Sequence, residues 1–571
     1  MRVIDFKDAS CRHCYKCVRN CEVKAISVQN EQAHIMKDHC INCGHCLEVC
    51  PQNAKTFASD MERVKGYLKQ GMKTVISIAP SYLGVLEYEK PGQVVDALLK
   101  LGFYEVRETA EGAALVTQEY RKLLKDGTMK NIITTCCPSV NDLIEKYYPA
   151  LTGQMAPVVS PMIAHGRLIK QIYGEDTKVV FLGPCIAKKE EAVGDKRVIG
   201  AVDAILTFEE ITKWWAAEGI DVNACEDRPL GNPDPRVNKL YPVGGGIVKS
   251  ILADSVEDNY YKVYVDGLKP CMELFEELMK GEIADCFFEV NVCEGGCIKG
   301  PASDKWQQTV IKAKMNVEDQ VGHREPAEGI DGSSIFMEKQ FHDRHVADRM
   351  PDGSEMRDVL KAMGKYTAED ELNCGACGYP TCRAKAVAVY QKKAEIGMCL
   401  PHALEQAESM SNVVMDVTPS MILIVDKDMR IRECNKKAQE MLDVSREEAL
   451  ERYIFEFLDD RDIAEVLRTK RQVIHKKVGL ESIGMTVVES IIYIESLESV
   501  LVTYQDITKE EKAKEQHYNL KIETVEMAQR VIDKQMMVAQ EIAGLLGETT
   551  AETKVTLSKL RDSILFEEEG E

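Results

Sequence analysis

Between residues 59 and 320 the apolar positions follow two alternating patterns. Short runs rich in β-branched residues, Thr74-Val-Ile-Ser-Ile-Ala79, Asn131-Ile-Ile-Thr-Thr135 and Lys178-Val-Val-Phe-Leu182, are bounded by turn residues and read as strands. Pro91–Leu101 and Ala113–Leu124 carry the helical period between them. Strands alternating with helices predict an α/β domain on parallel sheets. The pattern changes over residues 405–510: a strand at Ser420–Val425, a turn at Asp426-Lys-Asp428, a second strand, helices at Asn435–Ala438 and after Ser445-Arg-Glu-Glu448, then a meander ending at Val500–Thr508. That order predicts an antiparallel sheet with flanking helices. From Lys509 to Gly547 apolar residues recur every three and four positions (Ile522, Val525, Ile532, Met536, Ala539, Ala543, Leu546), with Gln529 the polar exception. A stripe of that length predicts a coiled coil or a partner-binding helix. Gly547-Glu-Thr-Thr-Ala551 breaks it, Val555, Leu557, Leu560 and Ile564 begin another amphipathic segment, and the tail Phe566–Glu571 is expected to be solvated and disordered.

Length and charge narrow the function class. A chain of 571 residues predicts three to five domains. A net charge of −21 and a pI of about 5.2 disfavour nucleic acid and anionic membranes as partners. The start, Met1-Arg-Val-Ile-Asp-Phe-Lys7, lacks the apolar core of a signal peptide. The most apolar runs, Val75–Tyr88 and Ile491–Tyr504, are interrupted by Pro, Glu or Tyr. The 21 cysteines, many at CxxC spacing, then indicate metal sites in a reducing compartment, and a soluble cytoplasmic metalloprotein is expected.

Three groups of thiols carry the chemistry. Residues 1–58 hold Cys11-x2-Cys14-x2-Cys17-x3-Cys21 and Cys40-x2-Cys43-x2-Cys46-x3-Cys50-Pro51, the spacing of bacterial two-cluster ferredoxins, with Glu22 where the first motif's proline would stand. Because the fourth ligand of each [4Fe–4S] cubane comes from the other motif, one cluster is expected on Cys11, Cys14, Cys17 and Cys50 and the other on Cys40, Cys43, Cys46 and Cys21. The second group is Cys374-x2-Cys377-x4-Cys382-x16-Cys399. It resembles the small [4Fe–4S] domains of corrinoid-pathway and ion-pumping electron-transfer proteins. Zinc is the alternative occupant of both groups, and eight ferredoxin-spaced thiols disfavour it in the first.

The third group is spread along the α/β segment: Thr135-Cys136-Cys137-Pro138, Pro184-Cys185-x2-Lys188-x2-Glu191 and Glu289-x-Asn291-x-Cys293-x3-Cys297. Cys136-Cys137 and Cys185 follow predicted strands, where open α/β sheets bind ligands. The Gly-Gly pair between Cys293 and Cys297 permits a tight turn. In order and content the three stretches resemble the signature motifs of [FeFe]-hydrogenases, TSCCPxW, MPCxxKxxE and ExMxCxxGCxxGG. The resemblance implies an H-cluster, a [4Fe–4S] cubane joined through a cysteine to a di-iron unit with CO, cyanide and azadithiolate ligands. By position, Cys137, Cys185, Cys293 and Cys297 would hold the cubane, with Cys297 as the bridge. Lys188 would be the charge-assisted donor to cyanide, with Glu191 completing its motif, and Cys136 the proton-relay thiol; the other uses of Cys136 are a further cluster ligand or a buried apolar thiol. The chain departs from the family at Gly183 and Asn291, where methionines pack beside the di-iron unit, and at Val140, where an aromatic is expected. Glu111 falls at one acid of the family's proton path, but Ala114 and Ala156 replace a Glu and a Ser. An alanine neither donates nor accepts, so slow turnover is expected.

The resulting expectation is a multidomain α/β (α+β) chain: a ferredoxin-like domain at 1–58, an H-cluster domain at 59–320, a linker at 321–365, a further [4Fe–4S] domain at 366–402, a domain resembling PAS sensors at 403–510, and a signalling helix with acidic tail at 511–571. No residue identifies a PAS ligand, and dimerisation alone is the competing role for that domain; Cys434 is expected in its core. Fusion of a redox domain to PAS without an output domain resembles the sensory class of [FeFe]-hydrogenases. It implies H2 as ligand, a redox partner such as ferredoxin, maturation enzymes for the di-iron unit, a separate kinase or phosphatase effector, and a homodimer. A slow ferredoxin-linked metabolic hydrogenase and a non-enzymatic iron–sulfur scaffold are the competing readings. Retention of Cys136, Lys188 and Glu191 counts against the scaffold.

Overall fold

The computed structural model describes residues 3–6, 11–254, 257–303, 309–321, 325–480, 483–543, 555–556 and 558–559. The chain divides into two compact units, Met1–His402 and Ala403–Glu571.

The first unit opens with the ferredoxin-like module. Strand β1 (Ile4–Phe6) pairs antiparallel with β4 (Lys55–Phe57), and β2 (Ile26–Gln29) forms a hairpin with β3 (Gln32–Ile35). Each triplet of closely spaced cysteines leads into a one-turn helix, Lys16–Arg19 or His45–Glu48, entered through a left-handed residue, Tyr15 or Gly44. At Gly44 no side chain is tolerated, because a Cβ would lie 2.5 Å from Pro301 and 2.8 Å from Ile186. The module is seated there on the α/β domain.

That domain contains two parallel sheets, as the alternation predicts. Strands β5 (Thr74–Ile78), β6 (Glu105–Glu108), β8 (Lys178–Gly183) and β9 (Ala204–Thr207) lie in the order β6-β5-β8-β9. Strands β7 (Asn131–Ile133), β10 (Tyr261–Asp266) and β11 (Cys286–Asn291) lie in the order β10-β11-β7. All of β5 is buried, which explains its continuous apolar and β-branched run. Helices Ala110–Asp126 and Pro161–Tyr173 pack closely at Gly112, where a Cβ would meet the Pro161 carbonyl at 2.2 Å.

The stretch expected as a polar connector is held down on the α/β domain. Its backbone bonds from Val159 N to Met337 O, Lys339 N to Pro157 O and Arg344 N to Glu145 O fix it, and Lys339 is buried. Charge complementarity is the reason: Lys339 meets Asp195 at 2.9 Å and Arg344 meets Glu145 at 3.0 Å. The small cysteine domain follows, with helices Gly353–Ala362 and Cys382–Tyr390. It docks on the ferredoxin-like module through Lys24 Nζ to Gly378 O and Arg19 Nη1 to Ala376 O.

The second unit is a five-stranded antiparallel sheet of β12 (Met421–Asp426), β13 (Ile431–Cys434), β14 (Val473–Leu480), β15 (Met485–Ile494) and β16 (Ser499–Asp506), in the order β13-β12-β16-β15-β14. Cys434 is buried in its core. Buried Asn435 accepts from Ile422 N and Ala438 N and donates to Met415 O and Ser420 O, tying helix Leu400–Val417 to the sheet. Helix Thr508–Ala543 leaves the last strand, with Glu511 paired to Lys477. Ile522, Val525, Ile532, Met536 and Ala539 stay only half-buried along it, and Tyr518, Leu520, Met527 and Val531 are exposed. The predicted stripe thus lies uncovered by its own chain among the described residues. Leu546, the break at Gly547, the segment with Leu557, Leu560 and Ile564, and the acidic tail lie outside the described residues. Among the described residues no helix is long and apolar enough to cross a membrane.

Candidate redox centre

Three strands from the two parallel sheets deliver the third group of thiols. β7 runs out into Thr134-Thr135 and Cys136-Cys137, β8 ends before Cys185, and β11 ends before Cys293. Cys137, Cys185, Cys293 and Cys297 line one cavity, together with Cys136, Lys188 and Asn291. Among the described residues no three or more Cys, His, Asp or Glu close on a single-ion site; these thiols stand around a void. Cys293 is pushed far up by burial and then by Cys297, Cys185 and Cys137, and Cys297 by burial and then by Cys137 and Cys185. Burial lifts Cys185 to about 11. A cluster binding here must therefore displace protons.

The turn that presents the last two thiols uses both glycines. Gly295 and Gly296 have φ of 82° and 90°, and a Cβ on Gly296 would sit 2.4 Å from the Pro242 carbonyl. Gly300 packs against Pro184, with room for no side chain, so the second and third motifs meet backbone to backbone. Four half-buried thiols around a void, a turn that lets backbone approach, and an ammonium in the wall suit an anionic iron–sulfur group with acceptor ligands.

Lys188 supplies that ammonium. Its Nζ donates to Cys136 O at 3.2 Å and to Glu191 Oε2 at 2.8 Å. Burial opposes its charge, but the Glu191 carboxylate outweighs burial and holds Lys188 above the usual ammonium range. Ser160 Oγ donates to Glu191 Oε2 at 2.9 Å, while Glu191 Oε1 has no hydrogen-bond partner and lies 3.6 Å from Lys339 Nζ. Ser160, Lys339 and Arg197 (2.5 Å from Glu145) are site-supporting residues that motif reading missed. Ser160-Pro161 carries a helix-start signal, but nothing in the sequence assigns Lys339 to Glu191.

Cys136 lies 3.3 Å from the Tyr120 hydroxyl, which accepts from Thr135 N. Burial pushes the Cys136 thiol up to about 12, so it stays protonated despite Tyr120 and Lys188. Glu111 is bonded elsewhere, to Arg107 at 2.6 and 2.9 Å and to His165 at 3.0 Å. Burial raises it, but His165 and Arg107 overcome burial and hold it below the usual carboxylate range. Ala114 and Ala156 are both buried, and the Ala156 carbonyl accepts from Thr135 Oγ1. Val140 is buried in the apolar cluster around β7 and β11.

Gly183 has a structural cause. A Cβ there would lie 2.7 Å from the Phe181 ring and 3.0 Å from Ala79 Cβ, and Phe181 lines the cavity. The aromatic ring fills the room that a methionine would need. Gly183→Met is expected to destabilise the chain by about 1–3 kcal/mol through overpacking, and adding Phe181→Ala should recover part of it. Urea midpoints of the single and double variants check this coupling.

Glu108, next to the site at the end of β6, is fully buried with neither carboxyl oxygen hydrogen-bonded; Lys239 Nζ is 4.0 Å away. Burial raises its pKa to about 7 from the ordinary 4.5, with Lys239 opposing. The folded chain therefore binds this proton more tightly than the unfolded chain does. Its contribution is full below about pH 4.5 and is lost as pH rises toward 7, on the order of 3 kcal/mol. Glu108→Gln is expected to flatten that slope and to raise the melting temperature more at pH 8 than at pH 5, as calorimetry would show.

In the N-terminal thiol group, burial raises Cys21, Cys43, Cys46 and Cys17; Cys21 is raised further by Cys40 and Cys17, Cys43 by Cys21 and Cys40, Cys46 by Cys43, Cys40 and Cys21, and Cys17 by Cys50. Cys43 also lines the cavity of the third group. Helix Pro138–Tyr147 has Cys137 as its N-cap, and at its far end Lys146 Nζ donates to Cys40 O and Tyr147 OH to His39 O. Burial lowers Lys385 while Cys399, Cys377 and Cys382 oppose the shift, and Tyr379 is raised by burial and then by Cys377 and Cys21. Cys374 is exposed.

Several segments of the chain are similar to known protein families. Residues 72–301 match the family described as iron only hydrogenase large subunit, C-terminal domain. Residues 3–51 match a 4Fe-4S dicluster domain, 370–401 an Fe-S cluster family, and 409–507 the PAS fold. The chain is 27% identical over 377 residues to iron hydrogenase 1 of Clostridium pasteurianum, covering 48% of this chain and 65% of that protein. It is 25% identical over 323 residues to the NADP-reducing hydrogenase subunit HndD of Solidesulfovibrio fructosivorans, covering 46% and 55%. It thus spans less than two thirds of these relatives. Among solved structures, a variant of [FeFe]-hydrogenase HydA1 from Chlamydomonas reinhardtii aligns over 51% of this chain and 100% of its own, at 15% identity and a TM-score of 0.40. The PAS domain of an HTR-like protein from Haloarcula marismortui aligns over 19% and 97%, at 22% identity and a TM-score of 0.16.

Proposed function

We propose that this chain, which joins an iron-only hydrogenase domain to a 4Fe-4S dicluster domain and a PAS fold, is an H2 sensor. The observation that carries the reading is the shared cavity of Cys137, Cys185, Cys293 and Cys297 with Cys136 and Lys188, on a chain that continues into a PAS fold and a helix with an uncovered apolar stripe. The four cysteines would hold the cubane of an H-cluster, with Cys297 bridging to its di-iron unit. When bound, that group supplies heterolytic cleavage of H2 to two protons and two electrons.

The protein's own residues have separable roles. Lys188, kept charged by Glu191, donates from the cavity wall to anionic ligands. Cys136, kept neutral by burial, holds a proton at Sγ and shares it with Tyr120. Cys21, Cys40, Cys43 and Cys46 would hold one cubane, with Cys43 in the same cavity wall, and Cys374, Cys377, Cys382 and Cys399 would hold another, with Tyr379 under the influence of both Cys377 and Cys21. Helix Leu400–Val417 follows Cys399 directly in the chain and would carry a change at that cysteine group toward the PAS fold. The terminal helix then engages its counterpart in a homodimer and a separate kinase or phosphatase. Ala114 and Ala156, buried and without polar side chains, make turnover slow.

The test is infrared spectroscopy after treatment with di-iron maturation enzymes, combined with amide exchange of the full chain under H2 and under argon. CO and cyanide bands are expected, together with an H2-dependent change of exchange in Thr508–Ala543. Absence of the bands would remove the H-cluster. Bands with unchanged exchange would overturn sensing in favour of slow metabolic turnover with a ferredoxin.

A further inference from the structure

The alanines at 114 and 156 leave unanswered where a proton released in the cavity goes, and a line of side chains outside the three motifs begins in the cavity wall. Thr109 lines the cavity at the junction of β6 and helix Ala110–Asp126. Its Oγ1 lies 2.7 Å from Ser77 Oγ on β5. Ser77 Oγ lies 2.7 Å from His165 Nδ1, and His165 Nε2 lies 3.0 Å from Glu111 Oε2. All four residues are buried. Beyond Glu111 the line is closed, because both of its oxygens are held by Arg107, whose guanidinium donates and never accepts.

With a neutral imidazole the polarity of the line is fixed. His165 Nε2–H donates to the Glu111 carboxylate, so Nδ1 accepts from the Ser77 hydroxyl, and Ser77 Oγ accepts from the Thr109 hydroxyl. Every hydrogen points away from the cavity. Thr109 Oγ1 keeps lone-pair capacity to accept another.

We propose that Thr109, Ser77, His165 and Glu111 form a closed proton line that takes up one proton from the cavity and stores it on the His165–Glu111 pair. A proton arriving at Thr109 Oγ1 displaces that hydroxyl's own proton to Ser77 Oγ, and Ser77's own proton passes to His165 Nδ1. One O–H bond is formed and one broken at each hydroxyl, one N–H bond forms, and no electron moves. The product is an imidazolium against the Glu111 carboxylate. The charged groups facing His165 are Glu111, which favours the imidazolium, and Arg107, which with burial disfavours it. The resting imidazole is thereby kept neutral and able to accept. The line deepens the H2-sensing reading and rests on it for the proton's source: a closed store registers a single cleavage event and carries no continuous outflow.

The test is time-resolved infrared detection of His165 protonation, using isotope-labelled histidine in the full chain, after an acid jump. Wild type, Thr109→Val, Thr109→Ser and Ser77→Ala are compared. Thr109→Val and Ser77→Ala are expected to slow proton uptake by about tenfold or more, and Thr109→Ser to restore the wild-type rate. A packing role alone would not produce that rescue. Equal uptake in wild type and Thr109→Val would overturn the line; if the valine variant misfolds, equal uptake in wild type and Ser77→Ala overturns it instead. Infrared CO and cyanide bands from the same preparations after maturation separate the two ideas. Slowed uptake without bands leaves the line standing and removes its H2 source, whereas unslowed uptake with bands removes the line alone.

Discussion

Cys297→Ala is expected to abolish H2 uptake and to leave no CO or cyanide infrared bands after maturation. Cys297 begins the short turn Cys297–Lys299, clamped by Ile298 N to Pro242 O and reached through the left-handed Gly296. It lines the cavity with Cys137, Cys185 and Lys188, each of which acts on its thiol. A cubane needs four thiolates; Cys271 and Cys286 bond to backbone carbonyls at Asn291 and Ala284 and do not line the cavity, while Cys136, which does, has its Sγ 3.3 Å from the Tyr120 hydroxyl. Cys286→Ala is the matched control and should change neither readout. Full bands in Cys297→Ala would refute the four-thiol site.

Lys188→Met is the second large effect, and it acts on stability and on the site together. Methionine keeps most of the side-chain volume and removes the charge. Glu191 would then be left buried, holding Ser160 at one oxygen and with Lys339 no nearer than 3.6 Å to the other. Removing one partner of a buried pair typically costs about 3–5 kcal/mol, and partial compensation by Lys339 places the expectation near about 3 kcal/mol. The urea midpoint should fall, and the double variant Lys188→Met with Glu191→Gln should recover part of the loss, because it removes the unpaired charge as well. Restored stability in the double variant without restored CO and cyanide bands would separate the structural role of Lys188 from its role as donor. Lys188→Arg is no substitute, since a planar fork does not place one donor at both Glu191 and the cavity.

Both effects concern residues singled out by the motif resemblance, and the contrast with the rest of the site is physical. Local patterns express local constraints. The β-branched runs at 74–79, 131–135 and 178–182 became β5, β7 and β8 within a residue or two at each end, because buried parallel strands require them. The antiparallel order of the second unit was legible from its turns and from Asn435, and the helix after residue 508 from its stripe. Cys136, Cys137, Cys185, Lys188, Cys293 and Cys297 were singled out through their resemblance to three family motifs, and the fold brings all six to one cavity. His165, Ser77 and Thr109 were not, since each is an ordinary residue on its own element and is brought to the others only by tertiary packing at Gly112. The segment at 325–350 looked like a linker because its charges are typical of solvent-exposed chain; their partners, Glu145, Asp195 and Glu191, lie more than a hundred residues earlier.

The helix Pro138–Tyr147 begins at a thiol of the cavity and ends with two side chains gripping the backbone at His39 and Cys40. Ten residues at about 1.5 Å each make a strut of roughly 15 Å. The spacing between the thiols of the cavity and those of the N-terminal module is thus set by covalent and hydrogen-bonded geometry along a single element. Tunnelling falls off steeply with distance, so were clusters held at both thiol groups, a link of this kind would keep electron exchange between them steady while other parts of the molecule shift. The strut also makes the N-terminal module a fixed terminal of the α/β domain: to loosen it, the protein must first break the grip of Lys146 and Tyr147.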